Sequence, residues 1–485
     1  MNRRRLSLML ILLALPLVRC ATNPATGEAQ LAFYGTDTEI EMGAKADADI
    51  VRSLGLLPDE ELQEYVDDLG QRLARTSERP ELPWTFRVLD SPVVNAFALP
   101  GGYVYITRGM IQHLNSEAQL VAVLGHEIGH ITGRHGVEQM SRAQLAQFGM
   151  MAALLASEDV RRYGGYLQQS LGLLFLKFGR DDETEADQLG LRYMTRHGYN
   201  PWEMESVFQT LDHVRTAAGL GTIPDWLSTH PSPQNRIEEI GRVIDSFPLS
   251  LRQGLVARTD LLDRIEGMVY GDNPREGYFV GGDFFHPDLR FKVSFPAGWT
   301  TRNEKSRAFA VSPDDRTIVM LTTGEGETVA EAKEAFFDER GVGGKGEWID
   351  GYWYFTAGSA EGSFTGLVGF IEHEGVILQL MGFGRENGFS RYRDEIEHSI
   401  TSLRPLDDEY YLDVEPMRIE LVPIIEGMSV REFDEIYPGA IEPDELAVLN
   451  GLPDESGYLE PGRIVKRVLP GRTVGSSTGE QGVEY

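Results

Sequence analysis

The sequence predicts an α+β chain of more than one domain, on three observations. Its 485 residues exceed the roughly 250–300 at which a single core stops growing. Apolar positions recur at helical spacing through most of the first half, to about residue 244. From residue 277 they change to the short alternating runs of strands. With 41% hydrophobic and 25% charged residues, the chain has apolar surface enough for sizeable cores, and wholesale disorder is excluded.

A formal net charge of −30 at pH 7 excludes a nucleic-acid partner, whose phosphates require clustered Lys and Arg, and reads as a solvated acidic surface. Arg3, Arg4 and Arg5, an apolar run over residues 6–17 and then Cys20 have the layout of an export signal, expected over residues 1–20. The run is shorter than the roughly 20 residues of a membrane-spanning helix. Cys20 is the chain's single cysteine, so no internal disulfide forms. Its position resembles the lipid-attachment cysteine of bacterial lipoproteins, although Arg19 stands where that pattern has a small residue. The resemblance implies an exported, periplasmic chain attached to a membrane by a lipid on Cys20.

The first domain is expected over residues 21–270. Leu54, Leu62, Val66, Leu69 and Leu73 mark two helices joined at Pro58. Residues 86–89, 93–99 and 103–107 are strand-like and are separated by Pro100, Gly101 and Gly102, which predicts a small sheet with a hairpin. Asn115 or Ser116 is placed to cap a helix to Thr132, carried by Leu120, Val123, Leu124 and Ile128. Apolar helical stretches follow at 145–156 and 166–178, then an acidic segment at 181–187.

A linker rich in Gly and Pro at 272–283 opens a second domain, 276–405, with an antiparallel sheet (runs at 291–295, 318–321, 352–356 and 376–381) broken by a helix at 330–339. A third unit, 417–470, has strand-like ends around two short helices. The tail, 471–485, is rich in Gly, Ser and Thr and is expected to be disordered.

The chemistry concentrates in H-E-I-G-H at residues 126–130. Positions four apart share a helix face, so His126 and His130 can offer two imidazole nitrogens to one metal ion, for which zinc is suited. Glu127 is offset around the helix, where a general base for the reacting water would stand. With 10 histidines in the chain, the pattern arises by accident in roughly 0.02 places. A catalytic zinc keeps three protein ligands. The third is expected to be Glu183, in E-T-E-A-D at the start of a helix. Asp187, one turn on, is placed to hold the other nitrogen of a ligating histidine. His135, His197 and His213 receive no role.

Four segments together resemble the lipoprotein branch of the metallopeptidase family that includes the CaaX prenyl proteases and the HtpX-type membrane proteases: N-P-A-T-G-E-A-Q-L from Asn23, N-A-F-A-L-P-G-G-Y-V-Y-I-T from Asn95, H-E-I-G-H, and E-T-E-A-D. They cover about residues 23–245. The resemblance implies a mainly helical, zincin-type metalloprotease domain with a small sheet and an active-site helix. It implies one zinc per chain on His126, His130 and Glu183, Glu127 as base and Asp187 behind the ligands. It also implies a substrate edge strand at Gly102, Tyr103, Val104 and Tyr105, to which unfolded or misassembled envelope proteins would add as a strand. H-P-S-P-Q-N-R from His230 matches a later segment of the family pattern, and two roles are open. His230 could fill the fourth zinc position as a latent cap, or His230 or Arg236 could stabilise the oxyanion.

The second domain resembles small α/β sandwich domains of the PsbP or Mog type and is expected to be an adaptor; its His373 has no partner at ligand spacing. The third unit, through E-G-M-S-V-R-E-F, E-L-A-V-L-N-G-L and L-E-P-G-R-I-V-K, resembles a βααβ LysM module, which implies peptidoglycan as a partner. A non-catalytic envelope scaffold binding unfolded proteins is the rival reading. A glycan-acting hydrolase has no paired carboxylates to support it.

Overall fold

The computed structural model describes residues 20–156, 178–217, 226, 230, 233–338, 342–343, 348–349, 352–359 and 362–474. The export signal expected before Cys20, nearly all of the helix expected at 166–178 and the tail from residue 475 lie outside these residues. Two compact units are formed. One draws on 1–51, 56–268 and 419–469, the other on 52–55, 269–418 and 470–485. The segments expected as a separate first domain and a separate C-terminal unit thus belong largely to one unit.

That unit opens with a hairpin of β1 (Cys20–Thr22) and β2 (Ala29–Leu31), followed by α1 (Thr36–Leu54) and α2 (Glu60–Ala74). The break falls near Pro58, where Asp59 caps α2 by accepting a hydrogen bond from Leu62 N at 3.0 Å. Next come β3 (Thr85–Leu89), β4 (Ala96–Leu99) and β5 (Tyr103–Thr107). β5 is the middle strand, parallel to β3 and antiparallel to β4. The expected edge at Gly102, Tyr103, Val104 and Tyr105 is therefore corrected. Those residues form or adjoin a strand paired on both sides, and β4 is an edge strand of the sheet. Asn95 O accepts from Thr107 N at 3.0 Å, so by the alternation of an antiparallel ladder the backbone groups of Ala96 and Ala98 point away from β5.

After α3 (Arg108–His113) the chain enters α4 (Glu117–Thr132), capped by Ser116, whose hydroxyl accepts from Gln119 N at 3.1 Å. Every residue of α4 is buried, which explains an apolar composition without a polar face. The helices α5 (His135–Ala156), α6 (Arg180–Arg196), α7 (Trp202–Ala217) and α8 (Pro233–Asp245) follow. α4 and α6 nearly touch. A Cβ at Gly125 would lie 3.3 Å from Gly190 Cα, and one at Gly129 would lie 2.9 Å from the Ala186 carbonyl oxygen. Glycine at both positions brings the acidic start of α6 within reach of the histidines.

The C-terminal segment has the expected succession of strand, two helices (Val430–Ile436 and Pro443–Leu449) and strand (Ile464–Leu469) around Val422, Phe433, Leu446 and Val465. It is joined to the rest of its unit by Lys466, which is fully buried and donates from Nζ to Gln112 O at 2.6 Å and Leu114 O at 2.9 Å. Burial, with Arg463 nearby, pushes this ammonium well below the ordinary lysine value. Lys466→Met deprives two interior carbonyls of their donor and is expected to lower stability by roughly 1–3 kcal/mol. A reduced urea midpoint at unchanged slope is the measurement, and a wild-type midpoint refutes it.

The second unit is an antiparallel sheet in the order Thr300–Glu304, Arg307–Val311, Thr317–Thr323, Val376–Arg385, Gly362–His373, Tyr352–Ser359 and Val342–Gly343. A smaller sheet includes Phe291–Ser294 and Asp283–His286. Helix Val329–Asp338 falls where the sequence places one. Phe284, Phe291, Val319, Leu367, Leu380 and Ile396 fill the core. His373 ends a strand, its Nε2 2.7 Å from the Leu289 carbonyl oxygen.

Candidate metal centre

The helical spacing of four places His126 and His130 side by side on α4, with their Nε2 atoms 3.0 Å apart. Glu183, in the first turn of α6, brings Oε1 to 3.5 Å from His130 Nε2 and Oε2 to 3.8 Å from His126 Nε2. His230 closes the group, its Nδ1 3.3 Å from His126 Nε2 and 2.9 Å from Glu183 Oε1. All four side chains are buried, and one atom of each lies within 4.8 Å of the others.

These separations fit a metal ion. Ligand atoms bonded at 2.0–2.2 Å to a tetrahedral ion stand about 3.4 Å from one another. The protonation states agree. His126 Nδ1 is 3.0 Å from Asp187 Oδ1, which holds the ring proton there and leaves a lone pair on Nε2. Burial, reinforced by the surrounding imidazoles and Arg236, holds His130 well below the ordinary histidine value, so its ring is neutral. Two lone pairs facing each other at 3.0 Å repel unless a cation lies between them.

The carboxylates are kept ionised. Burial opposes this for Glu183, but His230, whose Nδ1 lies 2.9 Å away, and the positive field of Arg236 outweigh it and lower its pKa. Asp187 is lowered against burial by Arg236 and by its bond to His126. Arg236 from α8 grips Asp187 with both arms, Nε to Oδ2 at 2.8 Å and Nη2 to Oδ1 at 2.6 Å, and its Nη1 pairs with Glu183. Its guanidinium lies 4.3 Å over the Phe208 ring.

Glu127 is fully buried, and neither of its carboxylate oxygens has a hydrogen-bond partner among the described residues; one lies 3.7 Å from His230 Nε2. A buried, orphaned carboxylate is costly, and such groups persist where function uses them. Phe178 stacks on His130 at 4.0 Å and Trp226 on His230 at 4.7 Å, which walls the group off from water. Beside His130, a cleft is lined by Ala98, Leu99, Pro100, Ile131, Val137 and Phe178, so the free edge of β4 borders the site.

Of the residues expected from the sequence, His126, Glu127, His130, Glu183, Asp187, His230 and Arg236 come together. Cys20 begins β1, opposite Leu31. Sequence reasoning missed His135, whose Nδ1 is 3.0 Å from His130 Nδ1, and with it Glu185 and Asn23. A spacing of five lies off the face shared by ligands, so periodicity conceals His135. His197 lies elsewhere, its Nε2 3.0 Å from Thr76 Oγ1.

Residues 60–244, from the start of α2 into α8, match the model of Peptidase family M48. The chain carries an M48 domain. It is similar to the mitochondrial metalloendopeptidase OMA1 of Danio rerio, 34% identical over 197 residues, covering 38% of this chain and 40% of the relative. It is also similar to the beta-barrel assembly-enhancing protease of Yersinia pestis, 31% identical over 229 residues, covering 44% of this chain and 46% of the relative. The protein of that name in Escherichia coli strain K12 is 28% identical over 229 residues, with 45% and 46% covered. The chain thus spans less than half the length of these relatives.

Proposed function

We propose that the chain is a zinc metalloendopeptidase of the bacterial cell envelope that cleaves unfolded or misassembled envelope proteins. The convergence of His126, His130 and Glu183 beside the unpartnered Glu127 carries this reading. His126, His130 and Glu183 would hold the zinc, which when bound would lower the pKa of a water and polarise the scissile carbonyl. Glu127 takes a proton from the attacking water and delivers it to the leaving amine. Asp187, held by Arg236, orients His126. An extended substrate adds to the β4 edge through the outward backbone groups of Ala96 and Ala98, so recognition depends little on sequence. Relatives named for assembly of β-barrels support envelope proteins as the substrate class. The export signal and Cys20 support a periplasmic, lipid-anchored location, and the 417–470 unit supports contact with peptidoglycan.

A latent state is part of this reading, with His230 Nδ1 standing where it would fill the fourth ligand position. Trp226 N donates to Val94 O, two residues before β4, at 3.4 Å, and His230 N donates to Trp226 O at 2.8 Å. Arg236 is engaged with Asp187 and Glu183, which favours a supporting role for it over oxyanion binding.

The purified chain is expected to contain about one zinc, by elemental analysis, and to cleave unfolded casein. A chelator stops the cleavage and added zinc restores it. Protein with stoichiometric zinc that cleaves no unfolded substrate, also as His230→Ala, refutes the peptidase reading and favours a scaffold that binds without cutting.

A further inference from the structure

We infer that His135 is a positioning residue for the metal ligand His130, the middle of a relay that runs from Asn23 through Glu185 and His135 to His130. The inference rests on the metal-ligand reading above.

Local chain geometry shows that the contact is built. Had α4 continued, a residue five positions after His130 would project about 140° around the helix from it. Instead α4 ends at Thr132, and Arg134 adopts φ +58°, a left-handed conformation that side chains other than glycine and asparagine disfavour. The turn is held on two sides. Arg134 Nε donates to Glu39 Oε1 at 3.0 Å and Nη2 to Tyr34 O at 2.8 Å, while Arg79 Nη1 donates to the other oxygen of Glu39 at 2.8 Å. From the N-terminal hairpin, Gln30 Nε2 donates to Gly133 O at 2.7 Å. The product of this strained, tethered turn is one contact, His135 Nδ1 at 3.0 Å from His130 Nδ1.

Proton placement follows from the chemistry. His130 offers Nε2 to the metal, so in the neutral ring the proton is on Nδ1 and is donated to His135 Nδ1. His135 must then carry its own proton on Nε2, a buried atom that makes no hydrogen bond among the described residues and faces Glu185 Oε1 at 3.6 Å, a charge–dipole contact. Glu185 Oε1 in turn accepts from Asn23 Nδ2 at 2.7 Å. Gly133 reserves the space. Its φ of −70° is open to any residue, yet a Cβ there would stand 2.4 Å from His135 Nε2 and 2.8 Å from Glu185 Oε1. The two ligating histidines thus have separate supports, Asp187 with Arg236 for His126, and His135 with Glu185 and Asn23 for His130. An accepted remote N–H fixes the ring and raises its basicity toward the metal.

The test is zinc affinity, by competition with a chromophoric chelator, beside the unfolding midpoint of the zinc-free protein. His135→Leu keeps the bulk and removes the acceptor; it is expected to weaken zinc binding by about 10–100-fold. His135→Asn places Oδ1 where Nδ1 was and is expected to recover most of that loss, with zinc-free midpoints equal in both variants. Gly133→Ala and Glu185→Gln, which disturb the far end, are expected to weaken zinc binding several-fold. Wild-type affinity in His135→Leu, or equal weakness in His135→Asn, overturns the inference. If His135→Leu fails to fold, undiminished affinity in Gly133→Ala and Glu185→Gln does so instead. His126→Ala separates the two levels. If zinc binding survives that change, the metal-ligand reading itself fails; if it is lost while the His135 variants bind normally, only the relay fails.

Discussion

Glu127→Gln is expected to leave zinc content at the wild-type level while lowering kcat by about 10²–10⁴-fold, the range that a positioned general base supplies. The prediction follows from where Glu127 stands. It shares α4 with both histidines yet lies outside the group of four possible ligands, so the amide does not remove a metal contact. Its oxygens are buried and unpartnered, so the substitution breaks no hydrogen bond that holds the fold. An amide of the same shape loses a negative charge and the ability to accept a proton, and little else. Stability is expected to hold or rise, because a buried carboxylate without a hydrogen-bond partner among the described residues is removed. Elemental analysis, steady-state cleavage of an unfolded protein and thermal unfolding on the same preparation check the three parts. Undiminished zinc-dependent cleavage sinks the role of Glu127, and loss of zinc places it among the ligands.

The residues of the site were legible where their relation is local. His126, Glu127 and His130 fall within five consecutive positions of a helix, and Glu183 and Asp187 are one turn apart on another, so helical geometry fixes each pair. That α4 and α6 face each other was carried only by small residues, Gly125, Gly129 and Gly190, which periodicity scores as nothing. The sheet was less legible. The β4–β5 hairpin is encoded by the turn at Pro100, Gly101 and Gly102, but which of its strands is the edge depends on β3. The parallel pairing of β3 to β5 is a non-local choice that no turn residue announces. His135 was hidden because its position depends on a left-handed residue, Arg134, in place of the usual glycine. Lys466 misleads for a different reason. In I-V-K-R-V-L alternation marks a strand, but a lysine reads as exposed, whereas this one reaches carbonyls some 350 positions earlier. The integration of the C-terminal segment with the M48 domain was therefore invisible in the sequence.

His230→Ala decides between the two roles left open for this residue, because they predict opposite signs. As a cap, His230 competes with water and substrate for the metal, and only the fraction of molecules with the segment displaced is active. For an open form populated at about 1–10%, removing the imidazole is expected to raise the initial rate by about 10–100-fold at unchanged zinc content, since three protein ligands remain. As an oxyanion donor, its loss would instead lower kcat by about 10²–10³-fold. The geometry favours the rise. His230 Nδ1 sits among the candidate ligand atoms, 3.3 Å from His126 Nε2, and its backbone is held through Trp226 to Val94, two residues before β4. Displacing the segment would thus free a ligand position next to the start of β4, which would couple the arrival of an extended peptide to the release of the metal. Substrate pre-incubation should then abolish a lag in wild-type progress curves, and His230→Ala should show none. A fall in kcat for His230→Ala without a change in zinc would overturn the cap and assign His230 to the oxyanion.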